Sequence, residues 1–235
     1  PRKAAEPIGE NDVLIPVNEN YKVGVRFHLV NPKAPNILFF HGNGEIAPEY
    51  DDIASIYNQR GINFMIADFR GYGFSSGTPN AENIQSDAHH ILDFVLNYLS
   101  SKSYNGPLVL MGRSLGSVSV LELSQRYPKD FSGLIIESGF ADEKPLFKLI
   151  GITASQAGFS KEDGFLNGEK IKKYLGPLLV IHAVQDHIVP FSQGQHLYDF
   201  CPSKEKRILP IPNANHNNIL GVSMQKYFEE VTHFI

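Results

Sequence analysis

Apolar residues follow two rhythms that alternate along this chain. Over residues 21–30, from Tyr21 to Val30, apolar and polar positions take turns. That is the period of a strand with one wetted face, and so of an antiparallel strand near a sheet edge. The later runs, at 36–40, 63–67, 108–111, 133–137 and 178–182, are apolar without alternation, and a further strand is expected at 207–211. Such runs suit strands covered on both faces. Between them, residues 47–60, 81–100, 117–127, 192–200 and 222–235 carry apolar side chains at helical spacing. Strand alternating with helix predicts an α/β fold, a mostly parallel central sheet with helices on both faces. In such sheets ligands bind beyond the carboxyl ends of the strands.

One stretch breaks the rhythm. Residues 138–177 are far longer than a crossover requires. They are expected to form a small helical cap, the alternative being a crossover helix with a decorated loop. The stretch contains Phe140, Leu146, Phe147, Leu149, Ile150, Ile152, Phe159 and Phe165. These could line an acyl pocket, although packing of the cap onto the body is the commoner use of such side chains. With 235 residues and no internal repeat, the chain reads as a single domain, 1–235, with this insertion.

Composition narrows the function by exclusion. A formal net charge of −4, without long runs of Lys or Arg, argues against a nucleic-acid partner. Cys201 is the only cysteine, so neither an intrachain disulfide nor a cysteine zinc site is available. His89, His90 and Asp93 have helical spacing, but adjacent residues point to different faces, and no metal or other cofactor is expected. No window reaches the roughly 18 apolar residues of a membrane span. A soluble, cytoplasmic protein is the expectation. Because the first residue is Pro1 rather than Met, an upstream anchor or export signal is the alternative.

The chemistry centres on Gly112-Arg113-Ser114-Leu115-Gly116, placed between a strand and a helix. In that setting G-x-S-x-G forms a tight turn that exposes the serine, and the flanking glycines are needed because Cβ atoms there would strike backbone. A serine hydroxyl needs a base to become nucleophilic and a carboxylate to orient the base. Asp186 follows the strand at 178–182, and His216 follows the strand expected at 207–211. Asp142, past another strand, is the rival carboxylate. His41, His182 and His187 read as structural or peripheral. Two backbone amides should face the developing oxyanion: that of Leu115, after the nucleophile, and that of Asn43 in His41-Gly42-Asn43-Gly44-Glu45, with Gly44 the alternative.

From about Val23 onward these motifs, with Asp68-Phe69-Arg70-Gly71-Tyr72-Gly73-Phe74-Ser75 and Asp186-His187-Ile188-Val189-Pro190, resemble the α/β-hydrolase superfamily. The Gly-Arg-Ser-Leu-Gly form is similar to the small-cap branch that includes membrane-associated esterases and protein depalmitoylases. The resemblance implies Ser114 as nucleophile, Asp186 as acid and His216 as base. It also implies a small-molecule acyl ester or thioester as substrate. Asn215, where many relatives have glycine before the histidine, is a departure. A peptidase or perhydrolase on the same triad, or a non-catalytic binding protein, are the alternatives.

Overall fold

The structure is a computed structural model that describes residues 2–4, 8–143 and 164–235. Its strands are β1 (Asp12–Pro16), β2 (Lys22–His28), β3 (Asn36–Phe40), β4 (Asn63–Ala67), β5 (Leu108–Arg113), β6 (Gly133–Glu137), β7 (Leu178–Ala183) and β8 (Lys206–Ile211). They form one sheet in the order β1-β2-β4-β3-β5-β6-β7-β8. β1 and β2 are antiparallel to their neighbours, and the rest run parallel. The alternating segment is thus antiparallel and second from the edge, as expected, but the middle of its polar face is not wetted: Gly24 and Arg26 are buried. The unbroken apolar runs of β3, β4 and β6 are buried at every position, which is why they lack alternation.

The described helices are α1 (Asp51–Gln59), α2 (Ala81–Ser101), α3 (Gly116–Arg126), α4 (Asn167–Ile171), α5 (Phe191–Phe200) and α6 (Ile219–Phe234). The helix expected at 47–60 is split: a 3-10 turn, Ala47–Tyr50, carries Pro in its first positions and leads into α1. Two clusters of buried apolar side chains cover the two faces of the sheet. One gathers Leu38, Leu110, Ile136 and Val180 with Leu92 and Val95 of α2 and Leu121 of α3. The other gathers Ile37, Val109, Ile135 and Leu179 with Ala54 of α1 and Phe228 of α6. Alternate residues of each strand therefore face opposite layers, and the sheet is buried on both sides.

β3 lies between β4 and β5. The chain leaves β3 toward one side and later returns on the other, so the switch point of the sheet lies at the carboxyl ends of β3 and β5. The loop 41–45 and the turn at Ser114 both emerge there. Of the expected cap, α4 and the residues either side of 144–163 are described. Leu146, Phe147, Leu149, Ile150, Ile152 and Phe159 lie outside the described residues.

Candidate active site

Ser114 stands at the end of β5 with φ of 50°, a left-handed conformation that costs an L-residue energy and marks a constrained turn. Its amide donates to the carbonyl of Glu137 at 2.8 Å. Its carbonyl accepts both the amide and the hydroxyl of Ser117, at 3.0 and 2.6 Å. The turn is pinned on both sides. A Cβ at Gly112 would come 2.4 Å from the carbonyl oxygen of Gly116, and a Cβ at Gly116 would come 1.9 Å from that of Phe40. Both glycines are therefore required by backbone that cannot retreat, the steric reason inferred from the motif.

Asp186 and His216 meet in the loops after β7 and β8. The Nδ1 atom of His216 lies 2.7 Å from Oδ2 of Asp186, while Oδ1 of Asp186 accepts the amides of Ile188 and Val189 at 2.9 and 2.8 Å. A carboxylate that only accepts places the proton on Nδ1 and leaves Nε2 with its lone pair. Burial alone would push the Asp186 carboxyl up. The hydrogen bond and charge of His216 and the two amides outweigh it, and the carboxyl lies below its ordinary value. The rival Asp142 uses its amide, with that of Ala141, to bind Gln193.

The expected oxyanion donors share one space. Asn43 and Leu115 line a cavity of about 320 Å³ with Phe69, Tyr72, Ile84 and Phe165. Among the described residues, neither amide donates to another protein group. Gly44, the alternative, does not line that cavity. The hydroxyl of Tyr72 donates to Oδ1 of Asn43 at 2.7 Å, which fixes the Asn43 side chain.

His41 is fully buried, with its ring nitrogens against the carbonyl of Gly42 at 2.7 Å and Asp68 at 3.1 Å. It is structural, as expected. His182 is structural but not peripheral. Its Nε2 donates to the carbonyl of Val189 at 2.8 Å and lies 3.5 Å from Asp186, beneath the acid loop. Burial holds its pKa below the usual value, so it is the neutral ring that packs there. His89 pairs with Glu122 at 3.2 Å instead of joining a metal set, and the described residues contain no cluster suited to a metal ion.

Arg113, in the variable position of the serine motif, also joins the site. Its guanidinium binds Glu45, Oε1 of Glu137 at 3.0 Å and the carbonyl of His216 at 2.7 Å. Oε2 of Glu137 accepts the hydroxyl of Tyr227 at 2.6 Å. Burial and then the Glu137 carboxylate push that hydroxyl well above its usual pKa, so it stays a donor. The available signal was a cation in the variable position of the serine motif, with acidic residues closing β6 and the loop after β3. Nothing in the linear spacing shows that these three meet.

The switch-point loops, the strained serine turn and the Asp186–His216 pair define an α/β-hydrolase. Within that class, the sequence model of the family described as "Serine aminopeptidase, S33" matches residues 31–159, and the chain belongs to that family. It is 30% identical over 208 residues to mouse "Alpha/beta hydrolase domain-containing protein 17C", covering 85% of this chain and 59% of that protein. The chain thus spans less than two thirds of the length of this curated relative. Among solved structures, the esterase Pf2001 of Pyrococcus furiosus superposes with a TM-score of 0.76 at 17% identity, over 95% of this chain and 90% of that one. Est1E of Butyrivibrio proteoclasticus, solved with ferulic acid, superposes with a TM-score of 0.75 at 20% identity, over 94% and 97%. At such identities these structures speak for the fold alone. No described helix is long and apolar enough to cross a membrane.

Proposed function

We propose that this chain is a serine hydrolase that cleaves a carboxylic ester or thioester of a small molecule through an acyl-enzyme on Ser114. The observation that carries the reading is the 2.7 Å bond between His216 Nδ1 and Asp186 Oδ2, with His216 tied in turn through its carbonyl to Arg113, the residue before the strained Ser114. The bond leaves Nε2 of His216 free to take the Ser114 proton as the hydroxyl attacks the carbonyl carbon. The carbonyl oxygen becomes an oxyanion and is held by the amides of Asn43 and Leu115, each worth on the order of 3 kcal/mol in the transition state. His216 then gives its proton to the departing alcohol or thiol. Water attacks the acyl-serine with His216 again as base, and His216 returns that proton to Ser114 Oγ as the acyl–oxygen bond breaks and a carboxylic acid leaves.

Small p-nitrophenyl esters and acyl thioesters test the reaction, and a fluorophosphonate tests the nucleophile. Wild-type protein is expected to hydrolyse the esters and to be labelled at Ser114, and Ser114→Ala to do neither. Labelling that survives in S114A would remove Ser114 from the mechanism. Cleavage of aminoacyl anilides in place of esters would move the reading to a peptidase.

A further inference from the structure

Arg113 bonds to the loop after β3, the end of β6 and the loop after β8. It is the last residue of β5, and the register of the sheet sets it directly beside Glu137, the last residue of β6. From there Nε reaches Glu137, Nη1 reaches Oε1 of Glu45 in the loop after β3, and Nη2 reaches the carbonyl of His216 after β8. Glu45 passes the connection on. Its Oε2 accepts the amide of Gly42 at 2.6 Å and the hydroxyl of Tyr50 at 2.5 Å. Gly42 leaves room for this arrangement, since a Cβ there would come 2.8 Å from Nη1 of Arg113.

The sheet does not need these contacts to hold together. Backbone ladders already fix β3, β5 and β6 in register. A largely buried guanidinium between two carboxylates is also a poor source of stability, because desolvation offsets most of the attraction and apolar substitutes often serve as well. What the arrangement does provide is geometry. A planar fork with donors on three nitrogens can hold three acceptors at fixed angles, which the single ammonium of Lys cannot do.

We propose that Arg113 is a positioning residue that sets the loop bearing the Asn43 amide and the backbone of His216 relative to Ser114. The proposal rests on the assignment of Ser114, Asp186 and His216 made above. It places no charge on the substrate and asks for no proton transfer through Arg113. The oxyanion donor and the base keep their spacing because both are tied to one rigid side chain on the residue before the nucleophile.

The test compares wild type with Arg113→Lys, Arg113→Gln, Arg113→Ala and Glu45→Gln, reading kcat and KM on a p-nitrophenyl ester, the rate of fluorophosphonate labelling and Tm. Loss of about an ångström of alignment costs roughly 10²-fold. R113K and R113Q are expected to lose about that much in both kcat and labelling rate, with KM held within about twofold. E45Q keeps the Arg113–His216 bond and is expected to lose about tenfold, so it carries the test if the Arg113 variants do not fold. Guanidinium chloride at a non-denaturing concentration should restore part of the activity of folded Arg113→Ala but not of E45Q. Wild-type kcat and labelling in R113K, or a rise in KM that accounts for the whole loss, would overturn the proposal. Wild-type protein that is never labelled at Ser114 would instead overturn the assignment beneath it.

Discussion

Asp186 carries opposing demands in one side chain. It is 8% exposed, and burial raises the cost of its charge, while one oxygen holds His216 and the other holds two amides. These bonds win, and its pKa lies below the ordinary value. For a group depressed in the folded state, the stabilisation is present above the unfolded carboxylate pKa of about 3.9 and is lost as pH falls through the folded value. Asp186→Asn removes that stabilisation and offers His216 an N–H where it needs an acceptor, which favours the unproductive tautomer. The expected result is a fall in kcat of about 10³- to 10⁴-fold. Urea unfolding should show D186N less stable than wild type at pH 7, with the two curves converging below about pH 4. A gap that does not narrow as the carboxyl is protonated would mean that the carboxylate is not what the folded state stabilises.

At the scale of elements, the elbow works because two helix and strand ends approach at a distance that excludes even a methyl group. Gly116→Ala would set its Cβ 1.9 Å from the carbonyl of Phe40, backbone at the end of β3 that is itself laddered on both sides. Either α3 shifts or β3 bends, and a loss of at least about 3 kcal/mol is expected. Gly44 offers the contrast. Unlike Gly116 it has a positive φ, 84°, but an added Cβ would meet nothing within 4 Å. Gly44→Ala should therefore cost only the left-handed penalty of about 1–2 kcal/mol. Thermal unfolding of both variants separates steric from conformational demand, and equal losses would show that the approach at Gly116 is not tight. The same distinction explains what the sequence disclosed. Strands buried on both faces advertise themselves as apolar runs, and the serine motif encodes its own turn in its glycines. β1 escaped because Val13, Leu14 and Ile15 sit between Asp12 and Pro16, too short a run to show a period, and because its pairing with β2 supplies the order. Arg113, Glu45 and Glu137 went unread because their meeting depends on the spatial order β3-β5-β6, which no local spacing records.

For the molecule as a whole, the question is which acyl group the described surfaces would receive. The cavity beside Asn43 and Leu115 draws Phe69 and Tyr72 from the loop after β4, Ile84 from α2 and Phe165 from the segment before α4. Three separate parts of the fold thus converge on one mostly apolar space, which Asn80 and Glu143 also line, at the low end of the sizes usual for ligand sites. Ile84 is the useful probe, because it is 7% exposed, belongs to a long helix and plays no part in the proposed chemistry. Enlarging it fills part of the space from the α2 side. With p-nitrophenyl esters from acetate to decanoate, Ile84→Phe should leave acetate hydrolysis within about twofold of wild type. It should also lower kcat/KM for the longest accepted chains by about 10- to 100-fold, the effect of one to three kcal/mol of lost apolar contact. Ile84→Ala should shift the preferred length upward. If neither variant changes the chain-length profile, the acyl group does not enter between α2 and the Asn43 loop, and this cavity is not where the substrate's apolar part is read.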